Sequence, residues 1–359
     1  MSIAGKTTRG LFWVSFQMVF LKIINFIITV ILARLLIPED FGLVALGFTV
    51  VNFFDIFRDM GIGAALIHEK EDVDKSANTA FFLFPLIAAG FFFISYFIAP
   101  FAADFYHEPQ INSIIRSLSF IFIISSFGTL PNILLDKNLE FNKKVIPQIL
   151  SKVGYGITAV WMAFSGFGVW SLVYGRLISE LLNVLIVWSA VDWHPAYKYD
   201  KKMAFELINY GKQVVGGNML VFIITIVDLT FIGRILGPED LGFYSIALVV
   251  ANIFTTQISQ LMNRVMFPVY STIQGDKKKL NKAFVRSISY VGLLSIPSSL
   301  AIFLISRDFI TVVYGPKWLP AVAALQVLCF YGLNRSLLGT SGNLYMATGK
   351  PEIKTKLNL

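Results

Sequence analysis

Ten long apolar stretches constrain this chain more than any other feature. They cover roughly residues 10–33, 41–66, 79–102, 112–135, 146–165, 168–190, 205–233, 241–268, 284–312 and 318–345. Wound as a helix, 18 or more apolar residues cross a hydrocarbon layer of about 30 Å. Strands of a membrane barrel would be nearer ten residues and strictly alternating, and these segments are neither. The expected fold is all-α: a polytopic integral membrane protein of about ten spans. Composition agrees, with 14% of residues charged against about 25% in soluble domains. The first stretch is longer than a signal-peptide core of about 7–15 residues, and no small-residue cleavage site follows it. It is therefore read as a retained span.

The charge left over is sorted by side. With the N-terminus inside, the inner segments carry Lys6, Arg9, Lys70, Lys75, Lys137, Lys143 and Lys144. They also carry Lys198, Lys201, Lys202, Lys277, Lys278, Lys279, Lys282, Arg286, Lys350, Lys354 and Lys356. The outer segments hold Arg34, Arg234, Arg307 and Lys317. Such an asymmetry is the positive-inside rule, and it supports both the span count and a multi-pass protein of the cytoplasmic membrane. It also accounts for the net charge of +8 without nucleic acid: the basic loop STIQGDKKKLNKAFVR (271–286) reads as a topology determinant. A single cysteine, Cys329, excludes an intrachain disulfide and a cysteine metal cluster. His68, His107 and His194 are far apart, so neither a metal nor another cofactor is expected.

The chain repeats itself. RLLIPEDFG at 34–42 returns as RILGPEDLG at 234–242, and nine positions of 34–54 are identical at an offset of 200. FYHEP (105–109) is echoed by VYGP (313–316), and Gly128, Thr129 and Asn132 by Gly339, Thr340 and Asn343. An even number of spans separates the copies, so both enter the membrane from the same side. These are parallel repeats about an axis along the membrane normal, an arrangement found in secondary transporters with a site between the halves. The expected division is a six-helix lobe at 1–195 and a second lobe at 196–359. The second has only the first four helices of its copy, as though the C-terminus were trimmed. The PED phrase itself reads as a tight outer turn. Proline needs no hydrogen-bond donor in a first helical turn, and acids there favour the positive helix end.

Several stretches resemble a known family: NFIITVILARLLIPEDFGLVAL near the start, the segment from GRILGPEDLG to PVYSTIQ, then VVYGPKWLPA and LYMATGKPEI. The chain is similar to the Wzx-type polysaccharide flippases, in the branch of lipopolysaccharide and colanic-acid exporters, within the multidrug/oligosaccharidyl-lipid/polysaccharide superfamily. The resemblance implies two lobes around a central cavity that opens alternately to either face. It also implies a cargo of undecaprenyl-pyrophosphate-linked oligosaccharide, moved outward for surface polysaccharide, with membrane lipids and polysaccharide polymerase or assembly proteins as partners.

Charges inside the spans mark the candidate site, because each costs about 2.5–3.5 kcal/mol at a helix centre. Lys22, Arg58, Lys212, Arg264 and Arg335 are candidates for binding the cargo pyrophosphate, which needs desolvated cations at membrane level. In DIFRD (55–59), Asp55 and Arg58 sit at i, i+3, and Asp59 lies one turn from Asp55. The cluster is either an internal ion pair or a polar gate facing the cavity. Asp228 either couples a cation or proton, or caps a helix or pairs with Arg234. Lys152 and Arg116, within about 8 Å of their expected helix ends, are read as snorkelling. Arg176 and Glu180, at i, i+4, are read as neutralising each other.

The leading expectation is a flippase that makes no bonds. A cation-coupled multidrug antiporter of the same superfamily is the alternative, and it would need an essential carboxylate. A polymerase or ligase would need polar catalytic residues in a large outer loop. The outer loops here are about ten residues or fewer and carry no phosphate loop or nucleophile elbow, so no enzymatic activity is expected.

Overall fold

The computed structural model describes residues 3–68, 72–196 and 199–347. Side chains at 3–18, 211–225, 253–261, 263–265, 267, 268, 343, 346 and 347 are not among those described. The described residues are helical, in the order α1 (Ile3–Leu35), α2 (Pro38–Asp55), α3 (Ile62–His68), α4 (Val73–Tyr106), α5 (Gln110–Lys137), α6 (Phe141–Phe164) and α7 (Val169–Trp188). There follow α8 (Lys201–Ile235), α9 (Pro238–Ile273), α10 (Lys277–Phe309), a π turn at Ile310–Tyr314, a short 3-10 turn and α11 (Ala321–Ala347). Among the described residues the ten apolar stretches all fall on helices. Val73–Tyr106, Gln110–Lys137, Val169–Trp188, Lys277–Tyr314 and Ala321–Gly342 are each long and apolar enough to cross a membrane on their own composition. α6 and α8 open on lysines, Lys143 and Lys144 in one and Lys201 and Lys202 in the other, which dilutes their apolar character at one end.

One expectation is corrected. The second passage, read as a single span over 41–66, is two helices, and the chain between Asp55 and Ile62 is irregular. Met60 and Gly61 there have φ of 44° and 71°, a left-handed conformation that ends an α-helix. The second copy of this passage, α9, runs unbroken from Pro238 to Ile273. At the offset of 200, TTQISQL stands where the first copy has DIFRDMG.

Local chemistry fixes the other ends. At the start of α2, Pro38 occupies the first turn and the Asp40 carboxylate accepts the Ile37 N–H at 3.2 Å, so the acid satisfies an orphan donor. α9 repeats the arrangement with Glu239 and Asp240 in its first turn, after Gly237 at φ 92°. The two turns also touch. Gly42 packs so tightly on the Pro238 carbonyl that a Cβ at Gly42 would collide with that backbone. The FYHEP and VYGP echoes both end a helix on a positive φ, His107 at 59° and Gly315 at 107°, each after a buried tyrosine, Tyr106 and Tyr314.

Two compact units are present, Met1–Leu241 and Gly242–Leu359. In the first, α4 pairs with α5, α6 with α7, α5 with α7 and α1 with α6, while α8 packs on α2, α3 and α4. Its apolar core includes Ile62, Leu66, Phe84, Leu130 and Leu134, with Met203 and Leu207 of α8. In the second, α10 pairs with α11. Ser95 bonds Ser119 across α4 and α5 at 2.9 Å, and Ser295 bonds Ser336 across α10 and α11 at 2.9 Å. Small hydroxyl residues allow close helix approach in an apolar solvent.

The segment between α7 and α8 is strapped to the start of α4. The Asn78 side-chain oxygen accepts the Ala196 N–H at 2.6 Å, the Thr79 hydroxyl accepts the Asp200 N–H at 3.3 Å, and Lys75 pairs with Asp200 at 2.8 Å. Asp200 also caps α8 by accepting the Met203 N–H. The Lys75 hydrogen bond, followed by that backbone bond, holds the Asp200 carboxyl down at about 2.

Candidate functional site

The charged residues of the first unit converge. A pocket of about 780 Å³ is lined by residues of α1, α2, α5, α6 and α7 together with the irregular segment after α2. Its cations are Lys22, Arg58, Lys152 and Arg176, and its carboxylates are Asp55, Asp59, Asp136 and Glu180. Helical spacing delivers them: Leu21, Lys22 and Asn25 on α1, Gln148, Ser151 and Lys152 on α6, and Arg176, Ser179, Glu180 and Asn183 on α7 each share one face.

Glu180 organises the centre. It is 7% exposed and takes two guanidinium groups, Arg58 at 3.2 Å from across the pocket and Arg176 at 3.7 Å on its own helix. Arg58 also donates to the Ser125 carbonyl at 3.3 Å and lies 3.6 Å from Asp55. Asp59 accepts the Gly61 N–H at 3.0 Å and so caps the break in the second passage. Asp136 is taken by Lys144, whose amine reaches both carboxylate oxygens at 2.8 Å. Apart from that pair, the pocket holds four cations and three carboxylates, a net positive site. Two polar atoms at its wall are buried with no hydrogen-bond partner: Arg176 Nε and Asn183 Oδ1. Buried polar atoms without partners are uncommon, and at a cavity wall they fit a ligand.

Lys22, Arg58, Asp55 and Asp59, four of the candidates from sequence, therefore meet in one pocket. The i, i+3 pairing of Asp55 with Arg58 and the i, i+4 pairing of Arg176 with Glu180 are both present. Sequence reading missed that Glu180 bridges the two arginines. It also missed Lys152, which is half-buried in the pocket rather than snorkelling. Arg116 stays out of the site, its guanidinium 4.6 Å from the Tyr96 ring centroid. Asp228, half-buried on α8, accepts the Leu229 N–H at 2.9 Å, and Arg234 lies over the Phe105 ring. Arg335 is exposed on α11 of the second unit. The Lys212 and Arg264 side chains lie outside the described residues.

Long apolar helices, helix turns repeated at a fixed offset and a charged pocket between helices are the features of a polytopic helical membrane protein. Residues 31–323 match the model of a family described as polysaccharide biosynthesis protein, and the chain belongs to that family. It is 28% identical to the teichuronic acid biosynthesis protein TuaB of Bacillus subtilis (strain 168), over 98% of this chain and 73% of that protein. It is 26% identical to the lipopolysaccharide biosynthesis protein WzxC of Escherichia coli (strain K12), over 100% of this chain and 73% of that protein. Among solved structures, the lipid II flippase MurJ in an inward closed conformation superposes with a TM-score of 0.76 at 17% identity, covering 94% of this chain and 77% of that one. An inward-facing multidrug resistance MATE family transporter of the MOP superfamily has a similar fold, with a TM-score of 0.74 at 15% identity, covering 97% of this chain and 87% of that one.

Proposed function

We propose that this protein carries an undecaprenyl-pyrophosphate-linked oligosaccharide across the cytoplasmic membrane, by alternating access, for assembly of surface polysaccharide. The observation that carries the reading is the gathering of Lys22, Arg58, Lys152 and Arg176 around one pocket, with an arginine nitrogen at its wall left without a partner. A diphosphate has the charge and the acceptor oxygens such a site lacks. In a low-dielectric setting its attraction to guanidinium and ammonium groups exceeds that in water. Relatives concerned with teichuronic acid and lipopolysaccharide biosynthesis, and a lipid II flippase of the same fold, support this class of cargo. No bond is made or broken. The work is rocking of the two lobes, taken as 1–195 and 196–359, with the N-terminus inside and the segment between α7 and α8 joining them. Arg58 and Arg176 exchange Glu180 for the diphosphate as the cargo enters, and take Glu180 back as it leaves. Polymerase or assembly proteins receive the cargo outside.

The test is made in cells. Deletion of the gene accumulates lipid-linked oligosaccharide on the inner leaflet, and the Lys22→Ala/Arg58→Ala double variant fails to restore export. Full rescue by that variant overturns the cationic site. Drug sensitivity on deletion, with the lipid intermediates unchanged, would identify the antiporter alternative instead.

A further inference from the structure

A second chamber shares a wall with the charged pocket. Its volume is about 380 Å³, and its lining includes Phe41, Phe48, Asn52 and Tyr155 as well as Lys152 and Arg176. The last two line both chambers. The adjacency follows from continuous helix faces. On α2, Phe41, Val44, Phe48 and Asn52 advance by steps of three and four, and Asp55 continues the same row into the charged pocket. On α6 the row is Gln148, Ser151, Lys152 and Tyr155, and on α7 it is Leu172, Arg176, Glu180 and Asn183. Along α2 the combined trough runs about 20 Å from Phe41 to Asp55 at the helical rise. It passes from aromatic walls to charged ones.

The chemistry changes along that row. The charged chamber offers cations and unpartnered polar atoms. The other offers three aromatic rings, one amide and the shared cations. Lys152 Nζ stands 4.6 Å from the Tyr155 ring centroid, so the junction couples a cation to an aromatic wall. Tyr155 lies close against α7 because residue 175 is glycine, where a Cβ would come within 3.3 Å of the ring carbons. Aromatic faces carry a negative quadrupole and a broad contact surface, which suits the C–H face of a pyranose. The amide and the cations suit its hydroxyls. A lipid tail would want the aromatic wall but not the amide and two cations, whose desolvation it could not repay.

We propose that the aromatic chamber is a sugar subsite. It receives the ring of the first sugar of the cargo, and the charged chamber holds the diphosphate to which that sugar is bonded. This rests on the flippase reading, and it assigns to one lobe a site that distinguishes a glycosylated lipid diphosphate from a bare one.

The experiment measures dissociation constants of the full-length protein in nanodiscs for two probes, undecaprenyl diphosphate and undecaprenyl diphosphoglucose. The wild type binds the glycosylated probe more tightly. Phe48→Leu and Tyr155→Leu each cut that preference about threefold or more, as loss of an aromatic contact does. In Phe48→Leu, binding of the bare diphosphate stays within about twofold of wild type, which also shows that this variant is folded; Tyr155 stands on Lys152, so Tyr155→Leu is read on the preference alone. Arg176→Gln weakens both probes. Equal weakening of both probes by Phe48→Leu and Tyr155→Leu would place the isoprenoid in the chamber and overturn the proposal, as would an unchanged preference in both variants. If the wild type binds neither probe, the flippase reading falls, and the subsite with it.

Discussion

Replacing Glu180 by glutamine sets stability and ligand affinity in opposition. The carboxylate is almost fully buried and is the shared partner of Arg58 at 3.2 Å and Arg176 at 3.7 Å. Breaking a buried ion pair by removing one member costs about 3–5 kcal/mol. Two features reduce that here. The Arg58 and Arg176 side chains are 29% and 43% exposed, so solvent screens much of the loss, and Arg58 keeps Asp55 and the Ser125 carbonyl. Glutamine also retains an acceptor oxygen. The expected net loss is about 1–2 kcal/mol, read as a melting temperature lower by several degrees in detergent. Affinity for an anion moves the other way. A unit charge about 6 Å from a diphosphate repels each of its charges by about 2–3 kcal/mol at an effective dielectric constant of about 20. Even half of one such term strengthens binding about tenfold. The assay is inorganic pyrophosphate titrated into the purified wild type and Glu180→Gln, with melting curves recorded in parallel. Tighter pyrophosphate binding by a less stable protein is the expected result. Unchanged or weaker binding would refute the idea that Glu180 competes with the ligand anion for Arg58 and Arg176.

Three further outcomes follow from the geometry. Gly42→Ala drives a Cβ into the Pro238 backbone and should cost about 1–3 kcal/mol or more, seen as a fall in monodisperse protein on size-exclusion chromatography. A normal yield would mean that the two PED turns do not pack as described. Gly61→Ala puts a Cβ on a residue at φ 71°. It should lower stability by about 1–2 kcal/mol, whereas alanine at Gly90, where a Cβ meets nothing, should not. Asp200 has its carboxyl held at about 2 by Lys75 and by the Met203 N–H. A depressed carboxyl stabilises the folded state fully above its unfolded value of about 3.9 and loses that effect as pH falls through about 2. Pepsin cleavage within 189–200 should therefore rise between about pH 4 and pH 2. Equal cleavage at both ends of that window would show that Asp200 does not hold the strap.

Most of the frame was legible because membrane helices announce themselves by length. The PED turns were legible too, since proline and acids in a first turn have a local reason to be there, and Ile37 and Asp40 show it. Lys152 was misplaced for a reason of boundaries. An apolar stretch starting at residue 146 puts it about 8 Å from the helix end, but α6 starts at Phe141, and eleven residues of rise carry it about 16 Å inward. Polar residues such as Lys143 and Lys144 extend a membrane helix without extending its hydropathy signal. The missing clue was the row Gln148, Ser151, Lys152, a polar stripe at helical spacing inside an apolar segment. The bridge from Glu180 to Arg58 joins residues 122 apart in sequence, and nothing local encodes it.

The break in the second passage is the feature least available to sequence reasoning, and it borders the pocket proposed to hold the cargo. Nothing in DIFRDMG except one glycine warns of it, and Met60 takes a left-handed φ without being glycine. In lipid, an interrupted helix frees backbone donors and acceptors that have no water to meet, so such breaks persist where they are buried in protein or line a cavity. Here the freed Gly61 N–H finds the Asp59 carboxylate, and the cavity is the one that Asp55, Arg58 and Asp59 line. The second copy has TTQISQL at this place and an unbroken helix, so the repeated ancestry does not require the break. Charge and backbone irregularity thus single out the same seven residues of the first copy for different physical reasons. A stabilising ion pair alone would explain the charges on a straight helix. It does not explain why the helix opens where they sit, whereas the anion site proposed above requires an opening there.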